Sequence, residues 1–541
     1  MDRQGDAAWR AAHQGPFDLE QHGDLLVAIL GEVQGAATTA APDKELARIL
    51  RQHPLPDGHL LSKDQVLRGY TQLCEQREQL PDPELVRRLQ AKPTRTISGV
   101  APVTVLTKPF PCPGECVFCP TVERMPKSYL PDEPGARRAA AHDFDPYAQT
   151  ASRVAAMAAI GHRVDKVELL ILGGTWSCYP PAYQEWFVCR CLDALNGVEA
   201  PTLAEAQRFN ESAPHRNVGL VVETRPDCVT AEEVVRLRTL GVTKVQVGVQ
   251  SLNDEILARN RRGHSVADTR RAIRLLRLAG FKIAVHWMPN LLGATPESDL
   301  ADFRRLWDDP GLRPDELKIY PTVLLRNTGL YEHWRRGEYR PYDEGTLVEV
   351  LAHCKALIPP YSRVNRLMRD IPAPNVVAGV KKTNLRQDVQ RYMAQHGLAC
   401  RCIRCREVRG LSVDAHTLRL ERLDYQADGT CECFLSAVTP AGRLAGFLRL
   451  SLPQAAPPIA ELEGCAVVRE VHVYGPALEL GARREGAAQH AGLGTRLLDK
   501  AQRIVRQEGF RRLAVIAAVG TRPYYRERGF DQGELYVTGE V

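Results

Sequence analysis

The sequence predicts a mixed α/β protein in which a partial (β/α)6 barrel of parallel strands is joined to a smaller C-terminal α/β domain and preceded by a helical region. Six short β-branched runs alternate with amphipathic helical patterns, which is typical of a parallel sheet with helical crossovers. A glycine-bearing turn between a strand and a helix follows near the C-terminus. The length of 541 residues also exceeds what one core can organise, so several domains are expected.

Residues 1–95 are predicted to be helical. The segments DKELARILRQH and KDQVLRGYTQLCEQRE both repeat apolar residues with a helical period, and HPLPDGHLL between them carries turn residues. This region contains no motif that indicates chemistry.

Residues 96–370 are predicted to form the barrel. A representative crossover helix is TAEEVVRLRTLG, in which Thr230 can cap the helix, Glu233 can complete a capping box and Gly241 can end it. The six strands are VTVLT at 103, KVELLILGGT at 166, NVGLVVETRP at 217, KVQVGVQS at 244, KIAVHWMPN at 282 and ELKIYPTVLL at 316.

Several predicted strands end in unusual residues: GGT at 173, ETRPD at 223, GVQS at 248 and HWMPN at 286. Loops after parallel strands meet at one face of a barrel, where they carry the chemistry. Turn glycines and helix caps are the structural alternative. The coincidence of these residues on one face favours a functional site.

The loop CPGECVFCP follows the first predicted strand and contains Cys112, Cys116 and Cys119. No histidine or further cysteine lies at a matching interval, whereas a closed zinc site takes four ligands. Three thiolates on a short loop instead suit three irons of an iron–sulfur cubane, with one iron left open.

Residues 371–410 are predicted to be an irregular linker with a second cysteine group, Cys400, Cys402 and Cys405. We interpret it as a small structural zinc site whose fourth ligand the sequence does not identify. Reduced cysteines on a surface turn are the alternative. The other nine cysteines are expected to be small core residues: Cys74, Cys178, Cys189, Cys191, Cys228, Cys354, Cys431, Cys433 and Cys465.

Residues 411–541 are predicted to form the C-terminal α/β domain. QHAGLG, from Gln489 to Gly494, follows the strand REVHVYG and opens an amphipathic helix, and the strand LAVIAAVG and the pair Tyr524 and Tyr525 come next. Backbone N–H groups at such a helix N-terminus can bind an anion. An ordinary strand-to-helix turn is the alternative.

Composition indicates a globular protein with 44% hydrophobic and 25% charged residues. No apolar run is long enough to span a membrane and the first residues do not form a signal peptide, so we expect a cytoplasmic protein without membrane contacts. Basic stretches near residues 87–108, 259–282 and 363–391 favour a nucleic-acid partner, with solvated helix faces as the alternative.

The three-cysteine loop on a partial barrel resembles the radical S-adenosylmethionine enzymes, and the Q-x-x-G-x-G helix with its flanking strands and tyrosines resembles the GNAT acetyltransferases. Their order, together with VDKVELLILGGT, VVETRPD, NRRGH, LKIYPT, MRDIP, REVHVYG and VGTRPYYR, resembles the catalytic subunit family of Elongator, in its prokaryotic stand-alone type. The resemblance extends from about residue 92 to the C-terminus.

The resemblance implies a tRNA-modifying enzyme that makes 5-carboxymethyluridine at the wobble uridine from acetyl-CoA, using a radical derived from S-adenosylmethionine. It implies a 4Fe-4S cluster on Cys112, Cys116 and Cys119, an external electron donor, and tRNA binding that includes the N-terminal region. Because the chain resembles the stand-alone type, Elongator accessory subunits are not expected.

The resemblance also implies roles for residues in the acetyl-CoA site. Lys166 reaches from the barrel towards the coenzyme, and Tyr524 and Tyr525 lie near the thioester, where one of them can protonate the leaving sulfur. The remaining residues hold the pantetheine arm and the pyrophosphate: Glu470, Val471, His472, Val473, Gln489, Gly492, Leu493, Gly494 and Thr495.

Two other functions are compatible with the same residues. The C-terminal domain alone could act as a lysine acetyltransferase on proteins. Alternatively, the chain could be a tRNA-binding scaffold whose acetyl-CoA site only hydrolyses or senses the thioester.

Overall fold

The computed structural model describes residues 17–36, 42–90, 95–382, 384–409, 411, 413–475 and 492–541. Three units follow one another along the chain: an N-terminal helical region, a parallel barrel and a C-terminal α/β domain. Among the helices in these ranges, none combines the length and the apolar character needed to cross a membrane.

The N-terminal region has its own hydrophobic core, formed by apolar faces of four helices. It is attached to the barrel by Gln90, whose side-chain amide donates to the carbonyl of Gly161 at 3.1 Å. Both predicted helical segments are confirmed. The helices are α1 Leu19–Gly35, α2 Pro42–Gln52, α3 Lys63–Gln76 and α4 Pro83–Leu89.

The barrel is an open sheet of seven parallel strands in the order β1-β2-β3-β4-β5-β6-β8, and all six predicted strands are present. The structure adds β8, whose sequence RVNR has no apolar run to indicate a strand. The strands are β1 Ala101–Leu106, β2 Lys166–Leu172, β3 Arg216–Thr224, β4 Lys244–Gln250, β5 Lys282–Trp287, β6 Glu316–Ile319 and β8 Arg363–Arg366, and β7 Leu324–Leu325 pairs with β9 Val376–Ala378 outside the barrel.

Helices cover the outside of the barrel and bury their apolar faces against it. The predicted cap is confirmed in α9, where the Thr230 hydroxyl accepts from the amide of Glu233 at 3.2 Å and Gly241 has a φ of 86°. The helices are α5 Pro134–Ala140, α6 Pro146–Ala158, α7 Pro181–Asn196, α8 Leu203–Asn210, α9 Ala231–Thr239, α10 Asp254–Arg259, α11 Val266–Leu278, α12 Pro296–Asp308, α13 Gly329–Arg335, α14 Glu344–Leu357, α15 Leu385–Gln395 and α16 Ile403–Arg406.

The C-terminal domain is a seven-stranded sheet in the order β10-β11-β12-β13-β14-β16-β15. The predicted amphipathic helix is α17, which buries Leu493, Leu497, Leu498, Ala501, Ile504 and Val505 as the periodicity indicates. The elements are β10 Arg419–Ala427, β11 Thr430–Val438, β12 Leu444–Pro453, β13 Cys465–Val473, α17 Leu493–Gln507, β14 Arg512–Val515, α18 Arg522–Arg526, β15 Asp531–Gln532 and β16 Val537–Glu540.

The C-terminal domain packs against the amino ends of the barrel strands, opposite the loops that follow them. Lys282 begins β5 and contacts Glu470 of β13, with Nζ 2.5 Å from Oε1. Asp315, immediately before β6, pairs with Arg469 of β13 at 2.6 Å, and both side chains are fully buried. The two domains therefore share a charged but dry interface.

Candidate active site

The three-cysteine loop lies at the carboxyl ends of the barrel strands. Cys116 is buried and Arg262 approaches its sulfur, with Nη1 3.3 Å from Sγ. The Cys112 sulfur lies 3.6 Å from Thr175 Oγ1, in the loop after β2. This loop can pass close to β1 because Gly173 has a φ of 131° and a Cβ there would lie 2.0 Å from Thr107 Oγ1.

The sulfur spacing distinguishes a cluster from a single metal ion. In a tetrahedral zinc site with bonds of about 2.3 Å, the sulfurs lie about 3.8 Å apart. The Cys112, Cys116 and Cys119 sulfurs do not all lie within 4.8 Å of one another. A four-iron cluster binds each thiolate to a different iron and spaces the sulfurs more widely, so the loop fits a cluster better.

The surroundings of the loop also fit a negatively charged group. Arg225 packs closely on Gly114 of this loop, since a Cβ added to Gly114 would lie 2.2 Å from Arg225 Nη1. This buried nitrogen has no hydrogen-bond partner within the described ranges. Burial and the neighbouring Cys116 raise the pKa of Cys119 to about 11, so ionising that thiol requires a bound metal. Arg225 and Arg262 are suited to balance the resulting charge.

Polar side chains from four strands meet inside the barrel mouth. Glu223 of β3 accepts from Lys318 of β6, with Oε1 3.1 Å from Nζ, and its Oε2 lies 3.5 Å from the Tyr129 hydroxyl. His286 of β5 contacts Gln246 Oε1 at 3.0 Å and lies 3.7 Å from Glu223. Burial and the charge of Lys318 lower the pKa of His286 well below its ordinary value, so its imidazole is neutral.

Sequence reasoning placed Glu223 and His286 on this face as strand-end residues but did not select Tyr129, Lys318 or Arg369. The Arg369 guanidinium lies over the Tyr129 ring, 4.8 Å from its centre, and pairs with Glu133 at 2.8 Å. Lys318 and Arg369 belong to the motifs LKIYPT and MRDIP, so those motifs contained a signal for both residues.

Lys166 begins β2 at the opposite end of the barrel, beside the C-terminal domain. Lys166 pairs with Arg216 of β3 in the sheet. Gly520 packs closely on Arg216, since a Cβ added to Gly520 would lie 2.7 Å from the Arg216 Cβ. Alternate residues of β2 from Lys166 to Leu172 are partly exposed, and the residues between them are buried. Burial lowers the pKa of Lys166.

The predicted strand edge in the C-terminal domain lies where two parallel strands separate. The pairing of β13 with β14 extends from Cys465 to Val468. The following part of β13, with Glu470, Val471, His472 and Val473, lies beyond that pairing. A bulge against β12 at Arg449 and Leu450 marks the same point. His472 Nε2 is buried and has no hydrogen-bond partner in the part of the chain that the structure describes.

The N-terminus of α17 lies beside the tyrosine pair. Gly492 caps the helix with a φ of 72°, and a Cβ on Gly494 would lie 2.8 Å from the Tyr524 hydroxyl. Arg528 donates to Thr495 Oγ1 at 3.3 Å, and its guanidinium lies 3.6 Å from the centre of the Tyr524 ring. Tyr525 is buried, with its ring 5.1 Å from that of Tyr524.

Leu493, the first residue of α17, is buried. Gln489, the other predicted cofactor-binding residue of this turn, lies outside the described residues.

The second cysteine group is compact enough to hold one metal ion. The sulfurs of Cys400, Cys402 and Cys405 all lie within 4.8 Å of one another, close to tetrahedral spacing. Lys355 Nζ lies 3.8 Å from the Cys405 sulfur. The amide of Ile403 donates to Ser362 at 2.9 Å, so this group is attached to the residue just before β8.

The predicted basic stretches differ in how well their charges are balanced. Many arginines of residues 259–282 are paired, and Arg277 is buried against Asp315 and Glu432, so this stretch does not form one free basic face. A different group of arginines consists of Arg95, Arg137, Arg138 and Arg153. Of these four residues, only Arg95 lies in one of the predicted stretches. Burial, Arg138 and Arg95 lower the pKa of Arg153 to about 10, which shows like charges held together.

Comparison with known families agrees with this architecture. Residues 111–306 match the Radical SAM superfamily, residues 314–395 match the Radical_SAM C-terminal domain, and residues 405–530 match the Acetyltransferase (GNAT) family. The first two matches cover the barrel with the three-cysteine loop, and the third covers the separated strands and α17. The protein is thus a radical S-adenosylmethionine enzyme fused to an acetyltransferase domain.

Relatives with the same combination extend over most of the chain. The tRNA uridine(34) acetyltransferase of Dehalococcoides mccartyi is 45% identical over 81% of this chain and 97% of its own length. That of Methanocaldococcus jannaschii is 41% identical over 91% and 92%. Elongator complex protein 3 of Drosophila melanogaster is 39% identical over 84% and 86%.

The solved structure of Methanocaldococcus infernus Elp3 lacking its N-terminus is 39% identical, with a TM-score of 0.74 over 82% of this chain and all of that chain. The chain therefore belongs to the tRNA uridine(34) acetyltransferase family, which contains the catalytic subunit of Elongator. The radical domain implies a 4Fe-4S cluster and S-adenosylmethionine, and the GNAT domain implies acetyl-CoA.

Proposed function

We propose that this protein modifies the wobble uridine of tRNA anticodons, forming 5-carboxymethyluridine from acetyl-CoA. Carbon 5 of uracil and the methyl carbon of an acetyl group do not combine by ordinary acid–base chemistry. A bound cluster with S-adenosylmethionine supplies a carbon radical strong enough to take hydrogen from a methyl group. The names of the relatives support tRNA uridine as the substrate.

The observation that carries this proposal is the arrangement of two sites at opposite ends of one barrel. The three-cysteine loop follows β1 at the carboxyl ends of the strands, whereas Lys166 and Glu470 lie at the amino ends beside the acetyltransferase domain. Strand β2 runs from one end to the other, and its alternate residues are partly exposed. In this proposal an acetyl group held at one end passes along this strand to a radical formed at the other.

In this proposal the chain's own residues bind, orient and exclude water. The segment of β13 from Glu470 to Val473, beyond its pairing with β14, would offer backbone groups to the amides of the pantetheine arm. The amides at Gly492–Thr495, at the start of α17, receive the pyrophosphate. The Tyr524 hydroxyl would protonate the leaving sulfur, which its position beside Gly494 supports, and the buried Tyr525 ring packs against the Tyr524 ring.

The three-cysteine loop would hold the cluster, with Arg225 and Arg262 balancing its charge. An external electron donor would reduce it. We place the uracil ring at the barrel mouth, where neutral His286 and Lys318 can recognise its carbonyl oxygens. The second cysteine group would hold structural zinc, with a fourth ligand from solvent or from outside the described ranges.

The experiment is an anaerobic reaction of cluster-loaded protein with S-adenosylmethionine, a reductant, acetyl-CoA and bulk tRNA, followed by mass spectrometry of the digested nucleosides. We expect 5-carboxymethyluridine, and its loss in a variant with Cys112, Cys116 and Cys119 changed to Ala. Cys189→Ala, at a cysteine distant from both sulfur groups in sequence, serves as the matched control and should retain the product.

Two outcomes would contradict the proposal. Acetylation of peptides that persists in the triple variant, without any modified nucleoside, would indicate a protein acetyltransferase. Tight tRNA binding without product in the fully loaded protein would indicate a scaffold.

A further inference from the structure

Two cysteines outside both sulfur groups lie side by side at the barrel mouth. Cys178 ends the short turn Trp176–Cys178 after β2, and Cys228 ends the turn Pro226–Cys228 after β3. Their sulfurs are 3.8 Å apart. Both are predicted from the sequence to be core residues, but both are partly exposed, so small oxidants can reach them.

The backbone holds the two sulfurs together. Ser177 Oγ and Thr224 Oγ1 form a hydrogen bond of 2.7 Å, which joins the first turn to the end of β3. Within the turns, the amide of Cys178 donates to Thr175 and that of Cys228 donates to Arg225, both at 3.2 Å. The fold therefore holds the two turns side by side, and the sulfurs are in contact between them.

The two thiols differ in their chemistry. The contact with the Cys228 thiol, together with the nearby Arg225, lowers the pKa of Cys178. The same contact and burial raise the pKa of Cys228. Burial raises the pKa values of the separate cysteines Cys189 and Cys431. Cys178 is thus the better nucleophile and Cys228 is placed to react with its oxidised form.

We propose that Cys178 and Cys228 form a reversible disulfide in response to hydrogen peroxide. The Cys178 thiolate attacks one peroxide oxygen, the O–O bond breaks, and hydroxide leaves and takes a proton to become water. The Cys228 sulfur then attacks the resulting sulfenic sulfur. The S–O bond breaks, and hydroxide leaves with the Cys228 proton as a second water. Two thiols lose two electrons in total, and a dithiol reductant restores them.

The pair lies where its oxidation would affect the three-cysteine loop. Thr175, at the start of the first turn, lies 3.6 Å from the Cys112 sulfur. Arg225, at the start of the second turn, packs on Gly114. A disulfide of about 2.05 Å draws both turns together and so shifts the contacts that surround this loop. Because a 4Fe-4S cluster is sensitive to oxidants, the pair can report oxidant beside the group it threatens.

The test is peptide mapping of the full-length protein with both sulfur groups metal-loaded. The protein is exposed to hydrogen peroxide, alkylated with N-ethylmaleimide and digested with trypsin without reduction. We expect residues 167–190 linked to residues 217–236 as the main disulfide, with loss of both alkylated thiols. Dithiothreitol should reverse the link.

Single-cysteine variants identify which two sulfurs form the disulfide. Cys189 lies in the same tryptic peptide as Cys178, so Cys189→Ser is the matched control and should retain the linked peptide. Cys178→Ser should lose it, and Cys228→Ser should leave a sulfenic acid on Cys178 that dimedone traps. Both thiols remaining alkylated in the wild type after peroxide treatment would overturn the proposal, and so would a link that persists through Cys189 in Cys178→Ser.

Discussion

His472 shows how burial sets the properties of a single residue in this protein. Its ring lies 4.5 Å from that of Tyr474, at the point where β13 leaves β14, and its Nε2 is buried. Burial lowers the pKa of His472 to about 4. The ring is therefore neutral at pH 7, and it can accept or donate a hydrogen bond but does not bring a charge to the acetyl-CoA site.

This shift predicts a pH effect on stability. Because the pKa of His472 is lower in the folded protein, the unfolded chain binds a proton first as the pH falls below about 6.5, and the folded state loses stability down to about pH 4. Relative to His472→Gln, the wild type should lose roughly 2 kcal/mol between pH 7 and pH 5. Thermal unfolding at the two pH values checks this, with exposed His353→Gln as the control. Equal pH slopes for wild type and His472→Gln would contradict it.

The second cysteine group determines how one short element is fixed. Helix α16 spans only four residues and lies between the barrel and the C-terminal domain, where Glu407 pairs with Arg363 at 2.7 Å. So short a helix is not stable by itself. Its position therefore depends on the sulfur group and on this ion pair.

We predict that Cys402→Ser lowers both the zinc content and the melting temperature of the protein. The loss of one of three thiolates weakens metal binding, and structural zinc contributes directly to folding free energy. Elemental analysis and thermal unfolding measure the two effects. Cys433→Ser, at a buried cysteine of the C-terminal sheet, is the control and should retain the metal. Full zinc content in Cys402→Ser would exclude this site.

We predict that α5 and its neighbours contact tRNA. Arg137 and Arg138 end α5, and burial together with Arg95 and Arg137 lowers the pKa of Arg138, while burial together with Arg138 and Arg95 lowers that of Arg153. Crowded arginines are favourable when phosphates are bound. The charge reversal Arg138→Glu should weaken tRNA binding and reduce the slope of log K against log salt by about 1, measured by filter binding. Exposed Arg208→Glu, beside Glu205 and outside the basic stretches, is the control, and an unchanged slope in Arg138→Glu would contradict the assignment.

Elements were predictable where local sequence decides the structure. All six β-branched runs form strands, and the cap at Thr230 is present. β8 was missed because its polar residues are stabilised by distant partners: Arg363 pairs with Glu407, and Asn365 donates to Glu316 at 2.6 Å. The contact between Cys178 and Cys228 was missed for the same reason, since the fold brings together residues 50 positions apart.

The whole molecule depends on the buried charges between its two catalytic domains. Arg469 of β13 forms two hydrogen bonds with Asp315, at 2.8 and 2.6 Å, and a third with Glu432 at 2.9 Å. Arg449 links Asp315 to Glu470, and the Arg469 and Asp315 side chains are fully buried. The positive neighbours lower the pKa of Asp315, so its charge is retained.

We predict that Arg469→Met uncouples the two domains. Removing one member of a buried ion pair costs roughly 3–5 kcal/mol because the remaining charges are left uncompensated. Among the residues that the structure describes, the tryptophans lie between residues 176 and 334, so their fluorescence reports on the barrel. Circular dichroism reports on the whole chain. Urea unfolding should give coincident transitions in the wild type and separate transitions in the variant.

The matched control is Arg526→Met. Arg526 also joins the two domains, through Glu211 at 2.5 Å, but its side chain is 41% exposed, and solvent screening limits the contribution of such a pair to less than about 1 kcal/mol. Adding Asp315→Asn to Arg469→Met removes one stranded charge and should recover part of the lost stability. Coincident transitions in Arg469→Met would show that apolar contacts such as that of Gly280 with Val467 suffice to hold the domains together.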